Sequence, residues 1–317
     1  MRPGPLLAQA LEVAVALAAA PLFLGWVNQC RAWLANRRAP SLLLPYRNIR
    51  KLFHKDAVLA ESASPLFRAA PYIVFGTMAV AAGIIPSMST RLPLVAAADA
   101  IALVGLFAAA RVFLSLAAMD VGTAFGTLGA RREMMVGFLA EPALLMVIFV
   151  ASMISATTAL PAISEHLATR TLELDPSLAF TAVAFTLVLL AENARIPVDN
   201  PATHLELTMI HEAMLLEYSA RHLALMEWAA ALRLFNYACI GFALFVPWGI
   251  DTHAVGPIGL LLAAPALAAK LVAAGGGLAL IETVSAKLRI LRAPEFLASA
   301  FLFAMLGLLV HVLLGGA

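Results

Sequence analysis

Runs of about 20 apolar residues recur along the whole chain, and short polar segments separate them. A helix needs a run of this length to cross the hydrocarbon core of a bilayer, which is about 30 Å thick. Eight such runs predict an all-α, polytopic bundle that forms a single membrane domain over residues 1–317. The predicted spans are about 5–28, 70–89, 93–118, 136–158, 177–192, 225–248, 257–283 and 295–315.

The composition argues against a separate soluble catalytic domain. Charged residues make up only 13% of the chain, and the mean hydropathy is +0.92. A soluble domain carries about a quarter charged residues. The net charge of +2 is too small to indicate a nucleic-acid partner. The first apolar run lacks a charged leading region, so we expect a retained span rather than a cleaved signal peptide.

Basic residues are distributed very unequally between the two sides of the predicted bundle. Fifteen of the 21 Lys and Arg follow spans one, three, five and seven, whereas only Arg2, Arg91 and Arg170 lie on the other side. The positive-inside rule makes the basic side cytoplasmic and places both termini outside. We expect basic residues there to dock a soluble partner, alongside contact with anionic lipid. The docking candidates are Arg47, Arg50, Lys51, Arg131, Arg132, Lys287 and Arg289.

Some charged residues fall inside or at the ends of predicted spans, where each costs at least about 2.5–3.5 kcal/mol on insertion scales. Such residues are seldom idle. Lys270 lies near the middle of span seven, and Glu141 directly precedes Pro142 in span four. Arg233 and Glu282 have an alternative interpretation, in which long side chains near span ends reach the headgroups. The full set is Arg111, Glu141, Arg233, Lys270 and Glu282.

The segment from 191 to 222 is acidic although it lies on the predicted cytoplasmic side. Pro197 and Pro201 end the fifth span, and apolar residues at helical spacing then predict an amphipathic helix from about 203 to 220. Carboxylates held between apolar surfaces can exchange protons near neutral pH. The alternative is a solvated loop. We expect one coupled titrating group there, formed by Glu192, Arg195, Asp199, Glu206 and Glu217.

The chain offers no self-contained active site. Cys30 and Cys239 are too few to hold zinc or an iron–sulfur cluster, which need three or four ligands. His211-Glu212 opens like a zinc-protease H-E-x-x-H motif, but position 215 is Leu. We therefore expect no catalytic residue, metal or cofactor in this chain.

Longer motifs carry a resemblance to a known family. The run 191–201, A-E-N-A-R-I-P-V-D-N-P, with Glu206-Leu207 and Glu217-Tyr218-Ser219, resembles complex I subunit one. The stretch 197–214 is more similar to one branch of that family, the membrane subunits of formate hydrogenlyase and energy-converting [NiFe]-hydrogenases. The segments 45–55 and 286–295 agree, and the resemblance covers essentially the whole chain.

The resemblance implies an eight-span, non-catalytic anchor and energy-coupling subunit of an oxidoreductase complex in the bacterial inner membrane. It implies that Glu192, Arg195, Asp199, Glu206 and Glu217 begin a proton path at the cytoplasmic side. It also implies several partners: [NiFe]-hydrogenase large and small subunits, iron–sulfur electron-transfer subunits and antiporter-like membrane subunits. The [NiFe] centre and [4Fe–4S] clusters would lie in those partners.

Two other functions remain open at this point. One is the quinone-site subunit of a complex I type enzyme, although the family's acidic residues near the quinone entrance are replaced here by Ala202 and His204. The other is a passive anchor without ion transfer. The complete set of proton-path candidates is Glu141, Glu192, Arg195, Asp199, Glu206, Glu212, Glu217, Lys270 and Glu282.

Overall fold

The computed structural model describes residues 3–91, 93–94, 98–169, 175–199, 209–251, 257–288 and 292–315. Within these ranges the chain is helical, and its only β pairings are isolated bridges. The helices are α1 (Pro3–Leu34), α2 (Leu44–Phe53), α3 (Pro65–Ile84), α4 (Ala100–Asp120), α5 (Ala124–Ser155), α6 (Leu160–Thr169), α7 (Pro176–Glu192), α8 (His211–Leu215), α9 (Ala220–Phe245), α10 (Pro257–Val284) and α11 (Ala293–Gly315).

Seven of the described helices are long and apolar enough to cross a membrane: α1, α3, α4, α5, α9, α10 and α11. The helix α7 is apolar but has only 17 residues. These eight helices correspond to the eight predicted spans, and the predicted all-α membrane bundle is confirmed.

Several helix ends differ from the predicted span boundaries by five residues or more, and two of them have a clear local cause. The helix α3, which corresponds to the predicted span 70–89, ends at Ile84. It ends there because Ile85 is extended and precedes Pro86, which disfavours a helical conformation at residue 85. The helix α5, which corresponds to the predicted span 136–158, begins twelve residues earlier, at Ala124. The Thr123 side chain accepts the Gly126 N–H and so caps the first turn of this helix. Polar residues of the first turns of α5 therefore belong to the helix.

Loop contacts divide the connections into two groups, one at each end of the bundle. At the end that carries most of the basic residues, the Leu288 N–H donates to the Pro197 carbonyl at 2.9 Å, and Val58 bonds the Ser219 hydroxyl. At the other end, the Asp251 N–H donates to the Met88 carbonyl at 2.8 Å. We call these the basic end and the opposite end.

The helix packing places α4, α5, α7 and α9 around the centre of the bundle. The helix α4 packs between α3 and α5, α9 packs on α3 and α1, and α11 covers α7 and α5. Glycine permits close approach here: a β-carbon at Gly129 of α5 would lie 2.9 Å from the Ile210 carbonyl oxygen. The segment that leads into α8 is therefore pressed against α5.

The short helices differ from the sequence-based expectations. The amphipathic α2 and the short α6 were not predicted. Residues 203–208 of the helix predicted over 203–220 lie outside the described ranges. Within residues 209–219 only His211–Leu215 is helical, so the predicted helix is too long at its C-terminal end. Ser219 is extended and Ala220 has a φ of 48°, which turns the chain into α9.

Candidate functional site

The guanidinium of Arg111, in the middle of α4, binds three carboxylates inside the bundle. Its Nη2 donates to Glu192, its Nη1 lies 3.1 Å from Glu141 Oε1, and its Nε lies 3.5 Å from Glu133 Oε1. Arg111 is only 6% exposed. A guanidinium has five N–H donors in a planar fork, which suits it to bridging several acids. We call these four residues the central cluster.

The helix geometry explains how the central cluster assembles. Glu133 and Glu141 lie eight residues apart on α5, with Gly137 midway between them, and residues at such four-residue spacing share a helix face. Because Gly137 has no side chain, the Arg111 side chain lies directly against α5 at that position. Glu192 is the last residue of α7 and completes the cluster from a third helix.

A second arginine and a tyrosine extend the central cluster along α9. Arg233 lines a cavity of about 20 Å³ together with Arg111, Glu192 and His211. This volume is enough for one water molecule. One turn further along α9, the fully buried Tyr237 interacts electrostatically with Glu192, Arg111 and Arg233.

A separate ion-paired group lies nearer the basic end. Glu282 of α10 is fully buried at its side chain, and its two oxygens lie 3.1 Å from Arg195 Nη1 and 3.5 Å from Arg31 Nη1. Arg31 is one-third exposed and belongs to the last turn of α1. The positive charge of Arg233 is near enough to Arg195 to repel it. Charged side chains thus extend from the surface at Arg31 to the central cluster.

Two residues of the acidic segment join the central cluster from the basic end. The buried carboxylate of Asp199 accepts the backbone N–H of His211 at 3.2 Å and interacts electrostatically with Glu133. Burial, reinforced by the positive charges of Arg233 and Arg111, lowers the pKa of His211 from its usual 6.5 to about 3. The imidazole in α8 is therefore neutral at pH 7.

The predicted proton-path residues do not all lie together. Glu141 and Glu192 meet at Arg111, whereas Arg195 pairs with Glu282 rather than with a described acid of its own segment. The burial of Glu282 excludes the alternative in which its side chain reaches the headgroups. Glu206 lies outside the described residues.

The other candidates lie away from these ion pairs. Glu212 follows His211 in α8, and its charge acts on Glu227 of α9. Glu217 is half-buried, and it forms no ion pair with the part of the chain that the structure describes. The Nζ of Lys270 lies 5.8 Å from the centre of the Phe242 ring, near Cys239 and apart from the central cluster.

The predicted docking residues differ in how accessible they are. Arg47, Arg50 and Lys51 are exposed on α2, and Arg131 is exposed on α5. Arg132 instead donates to the Met209 carbonyl at 2.7 Å, so its side chain braces the segment before α8. Lys287 is half-buried, and Arg289 lies outside the described ranges.

Sequence reasoning missed three buried or ion-paired residues: Glu12, Arg31 as a partner of Glu282, and Glu133. Glu133 lies three residues before position 136, where the fourth predicted span begins, so it was not among the candidates. Glu12 lies within the first predicted span, and its charge in an otherwise apolar run was a sufficient signal. The pairing of Arg31 with Glu282 joins residues 251 positions apart, so no local pattern indicates it.

Comparisons with known proteins agree with this architecture. The model of the family described as NADH dehydrogenase matches residues 8–313. Formate hydrogenlyase subunit 4 of Escherichia coli (strain K12) is 33% identical over 297 residues, which cover 93% of this chain and 95% of that protein. Hydrogenase-4 component C of the same organism is 35% identical over 239 residues, covering 75% and 74%.

A solved structure shows the same fold. A chain of the membrane-bound sulfane sulfur reductase (MBS), an archaeal respiratory membrane complex, matches with a TM-score of 0.81. The match covers 96% of this chain and 98% of that one, at 19% sequence identity.

Proposed function

The chain belongs to the NADH dehydrogenase family, and from that premise we propose that it is the membrane subunit of a multisubunit hydrogenase-type complex. The resemblance to complex I subunit one is confirmed by the family match over residues 8–313. Two similar proteins, formate hydrogenlyase subunit 4 and hydrogenase-4 component C, support the hydrogenase branch.

Within that complex, the subunit couples the soluble arm to ion transfer in the membrane. One observation carries this role: ionisable side chains extend from Arg31 near the surface through Glu282, Arg195 and Arg233 to the central cluster. Ionisable groups inside a membrane are costly, and those that face a bundle interior mark ion pathways in many membrane proteins.

The central cluster has more acids than cations. Three carboxylates contact Arg111, and like charges held this close oppose one another's ionisation. Two unit charges about 4 Å apart interact by roughly 4 kcal/mol at an effective dielectric constant of 20. A change of charge at the basic end therefore acts on the Glu282–Arg195 pair, then on Arg233, and shifts a proton among Glu133, Glu141 and Glu192.

The remaining roles follow from the family resemblance and the charge distribution. The basic end faces the cytoplasm in a bacterial inner membrane and docks the [NiFe] large and small subunits with their iron–sulfur partners. Those partners hold the [NiFe] centre and the [4Fe–4S] clusters, and antiporter-like subunits contact this chain within the membrane.

Purification of the intact complex tests the assignment. An affinity tag on this chain is expected to co-purify hydrogenase subunits from detergent-solubilised membranes, and the purified complex should evolve hydrogen with a low-potential electron donor. The chain purified alone should evolve none. Reduction of a quinone analogue by the complex without hydrogen evolution would contradict the assignment.

The coupling role has its own test. A dissipated ion gradient no longer opposes a coupled enzyme, so an uncoupler should accelerate hydrogen evolution by the wild-type complex in sealed vesicles. The amide variants Glu133→Gln and Glu141→Gln should assemble, and the uncoupler should accelerate their hydrogen evolution less than that of the wild type. Full acceleration in both variants would instead indicate a passive anchor.

A further inference from the structure

A further buried acid, Glu12 of α1, lies at the opposite end of the bundle from the predicted docking residues of α2. Glu12 is 0% exposed. Its Oε1 accepts the Ser87 hydroxyl at 2.6 Å and the Met88 N–H at 3.0 Å. Its Oε2 is buried, and no described residue donates a hydrogen bond to it. Two hydrogen bonds thus hold Oε1 in place, and Oε2 is available to bind a proton.

The segment that holds Glu12 is an irregular loop inside the protein. Residues 85–90, between α3 and α4, are all buried, and they include Ser87, Ser89 and Thr90. Non-helical backbone at membrane depth occurs where protein buries it or where it lines a water-filled cavity. The Thr90 hydroxyl bonds Glu165 Oε1 at 2.5 Å, and Glu165 is half-exposed on α6. Hydroxyl groups of this one loop therefore contact the buried Glu12 through Ser87 and the half-exposed Glu165 through Thr90.

On its inner side, Glu12 is close to the polar face of α9. The buried Cys239 interacts electrostatically with both Glu12 and Lys270. Asn236, one turn earlier, donates to the Met78 carbonyl at 2.9 Å, and its Oδ1 has no hydrogen-bond partner among the described residues. Its neighbour Tyr237 interacts electrostatically with Glu192 and Arg111 of the central cluster. The same helix therefore carries polar groups towards both acidic sites.

We propose that Glu12 is a second proton-exchange site, which takes up and releases a proton at the opposite end of the bundle through Ser87, Thr90 and Glu165. The proposal rests on the proposed ion-transfer function. It adds a route for protons between Glu12 and the surface at the opposite end of the bundle. The titratable groups that face Glu12 are Cys239 of α9 and, beyond it, Lys270 of α10. A proton suits the site because a single unpartnered carboxylate oxygen is sufficient to bind it.

Infrared spectroscopy of the full-length chain tests the site without relying on transport. The spectrum of wild type minus Glu12→Gln should contain the carbonyl band of a protonated carboxyl group, and this band should disappear as the pH is raised. The glutamine keeps an oxygen that accepts from Ser87 and Met88, so the loop should stay folded. Absence of the band at every pH would overturn the proposal, as would its loss on adding Na⁺ at constant pH.

Isotope exchange tests the route. In D₂O the Glu12 band should shift rapidly in wild type and more slowly in Ser87→Ala and Thr90→Val, which remove the hydroxyl groups. Equal exchange rates in all three proteins would contradict a path through this loop. If wild-type vesicles transfer no ions at all, the proposed function fails, whereas the titration and exchange of the Glu12 band still decide whether this site exists.

Discussion

The guanidinium of Arg111 lies against the backbone of α5 at Gly137, in the space that a β-carbon would take. The same guanidinium contacts Glu133 and Glu141, one turn to either side of that glycine. The position of the cation therefore depends on the absence of a side chain at residue 137.

Replacement of Gly137 by alanine should displace Arg111 and weaken its ion pairs. We expect a loss of stability of about 1–3 kcal/mol, as for other overpacked buried sites, together with reduced coupled turnover. Thermal unfolding in detergent and hydrogen evolution measure the two effects. Gly105→Ala on α4 is the matched control, because an added β-carbon there meets no atom within 4 Å. Equal behaviour of the two variants would contradict the proposed packing.

The transmembrane architecture was predictable because the length of an apolar run is a local property of the sequence. The ion pairs were not, since they depend on how the helices pack. Arg195 and Glu282 are 87 residues apart, and their pairing requires α10 to lie beside the loop after α7. The local sequence instead groups Arg195 with the acids of its own segment, as one predicted titrating group.

The boundaries of the helices had a further effect on the predicted site. The cap at Thr123 starts α5 early, and this brings Glu133 inside the bundle. Arg132 was predicted to dock a partner, but its side chain donates to the Met209 carbonyl. This carbonyl comes within reach only because the segment before α8 packs on α5. Local sequence could identify both residues as charged but not their partners.

The Glu282–Arg195 pair should show strong energetic coupling. Breaking a buried ion pair by removing one partner costs about 3–5 kcal/mol, because the remaining charge is uncompensated. We expect Glu282→Gln to destabilise the chain by this order, and the double variant Glu282→Gln with Arg195→Gln to be less unstable than the two single losses added together. Chemical unfolding of all four proteins gives the coupling energy. Additive losses would show that the pair does not act as a unit.

His211 should make the folded chain less stable in mild acid. Its pKa is about 3 when folded and 6.5 when unfolded, so only the unfolded chain takes up this proton between those values. The contribution of His211 to the free energy of unfolding is complete above pH 6.5, and it falls by roughly 2 kcal/mol by pH 5. The difference in unfolding midpoint between pH 7 and pH 5 should shrink in His211→Gln. It should not shrink in His54→Gln, whose side chain is exposed just after the end of α2. The same pH dependence in all three proteins would argue against a buried neutral imidazole.

The exposed cations of α2 should hold the soluble subunits on the membrane. Reversal of charge in Arg47→Glu with Arg50→Glu removes favourable contacts and adds repulsion against an acidic partner. Co-purification of the soluble subunits should fall, and more so at high salt. Arg91→Glu, an exposed arginine at the opposite end, is the control. Retention of the partners in the double variant would place the docking surface elsewhere.

Ion movement per hydrogen molecule released tests the central claim most directly. Inverted vesicles that contain the intact complex are supplied with electrons, and hydrogen evolution and internal pH are recorded together for wild type, Glu192→Gln and Glu217→Gln. The buried Glu192 contacts Arg111, whereas Glu217 is half-buried outside the central cluster. We predict that Glu192→Gln assembles but loses most of the ion movement per hydrogen, while Glu217→Gln keeps it. A ratio in Glu192→Gln equal to that of wild type would contradict ion transfer through the central cluster.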